Sequence, residues 1–424
     1  MKKYRKRIAD AVLVRKLEGA GAVLIEGAKW CGKTTTAEQI AQSIVYMSDP
    51  EKTGQYLELA EVNPGQLLAG AAPRLLDEWQ LAPKLWDAVR FEVDHRDKTG
   101  QFILTGSAVP PVTDAIRHTG TGRFSRLKMR PMSLFESGES NGCVSLGKLF
   151  DGESEVSGEN RISFEELAFL TCRGGWPRAV DMRQSVALDQ AFDYCDAVIN
   201  SDISRADGVS RDPARARRLM RAYARHQGAQ AANTVIKEDM IANDGATIDD
   251  DTLYSYISAL KKIFVIEDME AWNPNLRSKT AIRSSDTRYF VDPSIAAASL
   301  GVGPKDLMND LNTFGLLFET MCIRDLRVYA DALGGQVCHY RDASDLECDA
   351  VVHLRNGSYG LIEIKLGGDR RIAEAVEVLD KLEAKIDTTR MKKPAFKMVV
   401  TGTGDYAYRR RDGIVIAPVG CLKN

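Results

Sequence analysis

The sequence predicts an α/β protein of several domains. A P-loop domain with a parallel sheet comes first, a helical or winged-helix region second, and a smaller α/β domain last. Three observations predict this. The pattern G-x-x-x-x-G-K-T stands at Gly27–Thr34, between an apolar run, Gly21–Glu26, and a helix-forming run, Thr35–Ile44. Strand-like and helical runs then alternate to about residue 108, as in a parallel sheet covered by helices. From about residue 305 the order is helix, three strands, helix, two strands. At 424 residues the chain exceeds one hydrophobic core. We place boundaries at 1–150, 151–210, 211–304 and 305–424. The acidic, Gly- and Ser-containing stretch Asp151–Arg161 reads as a loop or linker.

Within the first part, Gly21–Glu26 is the first strand, and Ile44–Met47, Arg74–Asp77 and Gln101–Thr105 are further ones. The glycines at 27 and 32 let backbone N–H groups curl around phosphates. Gly27, Ala28, Lys29, Trp30, Cys31, Gly32, Lys33, Thr34 and Thr35 therefore form the expected nucleotide-binding loop. Lys33 can reach the β- and γ-phosphates, and the Thr34 hydroxyl can bind Mg²⁺. The helix start adds favourable partial charge. ATP with Mg²⁺ is the expected cofactor.

A P-loop needs a second acid for the Mg²⁺ shell. The run Arg74-Leu75-Leu76-Asp77-Glu78 supplies Asp77 at a strand end. Glu78, beside it, can polarise the attacking water as general base. Next, Gln101–Ser107 is an apolar strand ending in the hydroxyl residues Thr105 and Ser107. Then Arg123, Arg126, Lys128 and Arg130 follow two glycines. Arg123 or Arg126 fits an arginine finger, in cis or from a neighbouring subunit. A solvated basic strand face is the alternative.

These runs resemble the AAA+ ATPases of the archaeal-ATPase-like group, bacterial and archaeal proteins with an extra C-terminal domain. The resemblance rests on Gly21–Thr36, LLDEWQ at Leu75–Gln80, LTGS at Leu104–Ser107, GRFSRLKMRPMSLFE at Gly122–Glu136, and GGWP at Gly174–Pro177. It implies ATP binding, and a polar sensor between the metal site and the γ-phosphate, for which Thr105 and Ser107 are the candidates.

In the middle, Ala214–Gln227 is a helix carrying Arg215, Arg217, Arg218, Arg221 and Arg225. Asn233–Met240 is a short helix. Leu253–Phe264 has apolar residues at helical period. Val265–Ala271 and Arg288–Val291 read as strands joined by a basic loop with Arg277, Lys279 and Arg283. Three helices and a β-ribbon make a winged helix. Its recognition helix, Asp250–Lys262, offers Tyr254, Ser255, Ser258, Lys261 and Lys262 to bases or phosphate. Its acidic start, Asp249–Asp251, works against a DNA backbone.

In the last part, Asp349 and the E-x-K of Glu363-Ile364-Lys365 lie on neighbouring strands. Glu363 and Lys365 are two apart and share a sheet face. The order and spacing resemble the PD-(D/E)xK phosphodiesterase core, with Cys348 where that core usually has proline. The resemblance implies that Asp349, Glu363 and the Ile364 carbonyl hold Mg²⁺, that Lys365 orients water, and that Glu319 is a further acid.

Net charge is −2, so no global field draws the chain onto nucleic acid, and contact needs a local patch. Eight scattered cysteines form no C-x-x-C pair, and five histidines complete no zinc pattern. They read as reduced thiols. No apolar run is long enough to span a bilayer, and no signal-peptide pattern follows the basic N-terminus. A cytoplasmic location follows. The expectation is an ATP-hydrolysing protein whose nuclease-like domain acts on nucleic acid, DNA foremost, with homo-oligomers through the ATPase domain possible in principle. The alternatives are an ATP-dependent DNA-binding regulator with an inactive nuclease fold, and an ATP-switched protein-interaction scaffold.

Overall fold

Five strands build the first sheet: β1 (Ala22–Glu26), β2 (Ser43–Tyr46), β3 (Arg74–Asp77), β4 (Phe102–Gly106) and β5 (Phe124–Lys128). All pair in parallel, in the order β2-β3-β4-β1-β5. The central β1 and β4 are nearly continuous apolar runs, as strands buried on both faces require. The computed structural model describes residues 4–107, 120–244, 247–274, 282–283 and 285–424. Arg277 and Lys279 lie outside them.

The chain divides into two compact units. The first holds residues up to Pro131 with Asn200–Arg211 and Tyr256–Val265; the second holds the rest. The first core packs Leu24, Leu76 and Leu104 with Leu85 and Val89 of the helix Lys84–Arg96. Trp86 stacks on Phe124 at 3.9 Å between ring centroids.

The expected helix Thr35–Ile44 is shorter, Lys33–Glu38, and the chain turns into β2 at Ser43. Ile44, Val45 and Tyr46 suit a strand, and pairing with Arg74–Asp77 overrides local helix preference.

The second unit carries β6 (Val144–Ser145), β7 (Ser157–Glu159), β8 (Gly335–Arg341), β9 (Glu347–Leu354), β10 (Tyr359–Lys365), β11 (Phe396–Thr401), β12 (Tyr406–Arg409), β13 (Val415–Pro418) and β14 (Leu422–Lys423). Seven form one sheet, in the order β7-β12-β13-β11-β10-β9-β8; β6 and β14 pair separately. The helix Leu311–Ala332 precedes β8, and Asp369–Lys385 joins β10 to its parallel neighbour β11. The presumed linker Asp151–Arg161 contributes β7, which pairs with β12. Its sequence gives no alternating apolar face, so only the waiting edge of β12 makes it a strand.

The middle is helical, with Pro213–Arg225, Asn233–Asp244 and Asp250–Lys262. The two strands expected after it do not form. Among the described residues, only the isolated bridges Ile266–Phe290 and Met269–Thr287 join those segments. Part of this stretch serves the second sheet instead. Trp272 N–H donates to His339 O at 2.6 Å, and His339 N–H to Glu270 O at 3.0 Å, on the open side of β8. An unpaired edge strand outcompetes a short ribbon for backbone partners.

One buried ion network organises the second unit. Arg324, on Leu311–Ala332, donates to Asp292 at 2.9 Å and to Asp325 at 2.8 Å. Asp292 accepts the Gly175 N–H at 2.9 Å, and Asp325 accepts the Leu134 N–H at 2.9 Å. The GGWP run belongs here. A Cβ on Gly175 would lie 2.0 Å from Met132 O, so that glycine allows close backbone approach.

Candidate functional site

The parallel sheet sets the first site. β4 lies between β1 and β3, so Thr105 is in register with both Ile25 and Asp77. The Thr105 hydroxyl donates to Asp77 Oδ1 at 2.6 Å. The Thr34 hydroxyl donates to the same oxygen at 2.7 Å. P-loop, acid strand and third strand therefore meet at one carboxylate, itself buried.

The loop between β1 and Lys33 needs special backbone. Gly27 has φ +153° and a Cβ there would meet Met129 O at 2.0 Å; Gly32 has φ +100°. Trp30 also adopts a positive φ and is half exposed. Lys33 is buried, and its ammonium donates to Gly27 O and Ala28 O at 2.8 Å each. It thus sits inside the loop whose N–H groups would wrap phosphate. Lys29 pairs with Asp202. Cys31 is buried, with its thiol 3.5 Å from Met129 O. Thr35 is exposed.

Glu78 has φ +54°, an uncommon state for a residue with a side chain. It turns the carboxylate off the end of β3. Gln80 donates to that carboxylate, and the Ser107 hydroxyl lies 3.5 Å from it. Thr105 and Ser107 thus divide between the two acids, one each.

The arginines fall elsewhere. Phe124 pairs with Ala22, so Arg123 lies at the N-terminal edge of the sheet. That is about 16 Å of strand from the P-loop edge. Its guanidinium binds Asp94 at 2.8 Å, which holds that carboxyl below its ordinary range. Arg126 is well exposed in the middle of β5 and pairs with Glu26 at 2.8 Å. Arg123 does not converge on Lys33, Thr34 and Asp77, because the strands are parallel and the site occupies the other end of them, whereas Arg126 reaches the last residue of β1, directly before Gly27.

Sequence reading missed two groups. Arg7, buried, donates to Cys31 O at 2.7 Å and to Arg130 O at 2.8 Å. Tyr4 shares a hydrogen bond with the Thr36 hydroxyl at 3.0 Å. Both lie in a basic N-terminal run that carries no local signal of a site.

The second cluster lies on β9 and β10. Asp349 and Glu363 converge on the Lys365 ammonium, at 2.8 and 2.7 Å. The Ile364 N–H donates to Asp349 at 2.7 Å, and the Asp349 N–H to Glu363 at 3.3 Å. Burial, then the charge of Asp349, pushes Glu363 well above its ordinary range. Burial works against the Lys365 charge, but the two carboxylates outweigh it and hold the ammonium protonated. Glu319 is half-buried and receives the Tyr289 hydroxyl. Burial first, then Asp349, raises it to about 8.

Asp349 and Glu363 converge as expected, but the three-acid set is not assembled. Among the described residues no three His, Cys, Asp or Glu side chains gather to hold an ion. Glu319 receives the Tyr289 hydroxyl and feels the charges of Asp349 and Lys365, and the Lys365 ammonium lies between the Asp349 and Glu363 carboxylates.

The cations expected to meet nucleic acid are partly committed. Lys262 pairs with Asp207 at 3.2 Å, and Arg283 with Asp345 at 3.1 Å. Asp249 caps its helix through the Thr252 N–H at 2.8 Å, and Asp250 pairs with Lys237. Tyr254 is exposed.

With this geometry in place, the similarities have a physical setting. Residues 20–137 match the family model described as an AAA domain. Residues 164–306 and 314–422 match two families described as domains of unknown function, DUF8612 and DUF4143. Residues 20–137 are thus a P-loop domain similar to AAA domains. Uncharacterized proteins of Mycobacterium bovis and Mycobacterium tuberculosis are each 23% identical over 363 residues, 85% of this chain and 74% of theirs. A Walker-type ATPase of Pyrococcus abyssi aligns at TM-score 0.43 and 14% identity, over 70% of this chain and 96% of its own. Among the described residues, no helix is long and apolar enough to cross a membrane.

Proposed function

We propose that the chain binds and hydrolyses ATP at the P-loop. One observation carries this reading: the hydroxyls of Thr34 and Thr105 both donate to one oxygen of Asp77. Thr34 and Asp77 fit a shared Mg²⁺, which would neutralise phosphate charge. Lys33 exchanges its two loop carbonyls for phosphate oxygens. Glu78, aimed off β3 by its backbone, holds the attacking water and takes its proton. Gln80 and Ser107 orient that carboxylate, while Thr105 fixes Asp77. Arg123 is proposed as a residue acting on a neighbouring subunit, and Arg126 as a finger in cis or in trans. The test is phosphate release by the purified chain with Mg²⁺, beside a Lys33→Ala variant. No release by the parent above the variant rejects hydrolysis at this site.

A second reading concerns the C-terminal domain. We propose that it acts on nucleic acid through Asp349, Glu363 and Lys365, supported by their convergence on one sheet face. The assay is cleavage of plasmid, single-stranded DNA and RNA with Mg²⁺ or Mn²⁺, with and without ATP. Cleavage lost in Asp349→Ala supports it. A parent that cleaves none of the three leaves the domain as a regulator or interaction scaffold.

A further inference from the structure

The P-loop carries a second lysine whose partner lies far along the chain. Lys29 Nζ donates to Asp202 Oδ1 at 2.5 Å across 173 residues. Asp202 is 8% exposed and closes the π-helical turn Val198–Asp202. More polar contacts follow it. Arg211 donates to Ile203 O at 2.9 Å and to both Asp207 oxygens at 2.7 and 3.0 Å. Lys262 reaches Asp207 at 3.2 Å, and the Arg211 guanidinium lies over the Tyr256 ring at 5.7 Å. Residues 200–211 thus hold two ionic groups, Lys29–Asp202 at the P-loop and Arg211–Asp207–Lys262 at the C-terminal half of the helix Asp250–Lys262, with Arg211 also bound to the Ile203 carbonyl next to Asp202.

We propose that Asp202 and the triphosphate of ATP compete for the Lys29 ammonium, so that ATP opens a latch between the P-loop and residues 200–211. The inference rests on the nucleotide reading above and adds a positioning residue that no local motif marks. Lys29 is two residues past Gly27, in the loop expected to wrap phosphate. A triphosphate offers several charged oxygens against one carboxylate, and charge-assisted hydrogen bonds are the strong ones. A ligand shifts an equilibrium only by its differential affinity for the two states. The closed latch therefore weakens ATP binding, and removing the Asp202 charge strengthens it. A residue that merely supported the fold would do the opposite.

The test is calorimetric titration of ATP with Mg²⁺ into the full chain, Asp202→Asn, Lys29→Ala and the double variant. Asp202→Asn should lower the Kd about fivefold, the upper range for a pair of this exposure. Lys29→Ala should raise it, and adding Asp202→Asn to that background should change nothing. Hydrogen exchange of residues 200–211 in the parent should quicken when ATP binds. A parent that binds no ATP overturns the nucleotide reading and the latch with it. A parent that binds ATP overturns the latch alone if Asp202→Asn binds no tighter, if the shift is equal in both backgrounds, or if exchange is unchanged.

Discussion

Asp77 takes two hydroxyls on one oxygen, while Glu78, its neighbour, points away by a positive φ. Adjacent acids are thereby given separate surroundings. Lys33→Ala should abolish ATP binding in a titration, because no other loop cation is enclosed by the Gly27 and Ala28 carbonyls. Glu78→Gln should bind ATP like the parent and release phosphate about 10²-fold more slowly or worse, the usual contribution of a general base. Equal turnover would remove Glu78 from that role. Arg123→Ala should leave turnover unchanged at low protein concentration, since Arg123 lies at the sheet edge opposite the P-loop, whereas Arg126→Ala should lower it there if Arg126 acts in cis. If one acts in trans, parent turnover per chain rises with concentration, and that rise is lost in its alanine variant.

The GGWP run, the segment before Leu134 and the helix Leu311–Ala332 depend on Arg324. Its charge sits between Asp292 and Asp325, all three fully buried. Losing one partner of a buried set leaves uncompensated charge, at a cost of about 3–5 kcal/mol. Arg324→Ala should therefore lower the unfolding free energy from denaturant titration by that order, with a lower midpoint, whereas Arg370→Ala, at an exposed pair, should change it by less than about 1 kcal/mol. Equal midpoints would show the network to be dispensable.

Across the whole molecule, Glu319 gives stability a pH dependence. Its carboxyl is raised from 4.5 to about 8 in the folded chain by burial and by Asp349. Between those values the folded state keeps a proton that the unfolded state has lost. Stability therefore falls as pH rises through this window and levels off above it. Thermal unfolding from pH 5 to 9 should show a declining Tm in the parent and a shallower decline in Glu319→Gln. The same slope in both would place the titration elsewhere.

The sequence by itself determined the P-loop, the acid pair after Leu76, the helix, three strands and helix that open the C-terminal part, and the shared face of Glu363 and Lys365. Each depends on spacing along one element or on a backbone that only glycine permits. Tertiary structure decided the rest. β7 is a strand because β12 offers an open edge, and the chain near Trp272 joins β8 rather than forming a ribbon. The parallel register sends Arg123 to the far end of its sheet. Lys365 lies between Asp349 and Glu363, where a three-acid metal site was expected. Arg7, Asp202 and Arg324 carry no local mark, because each acts on partners across long stretches of chain. Hydrogen-bond edges and buried charges are satisfied by whatever the fold brings near, and sequence distance does not record that.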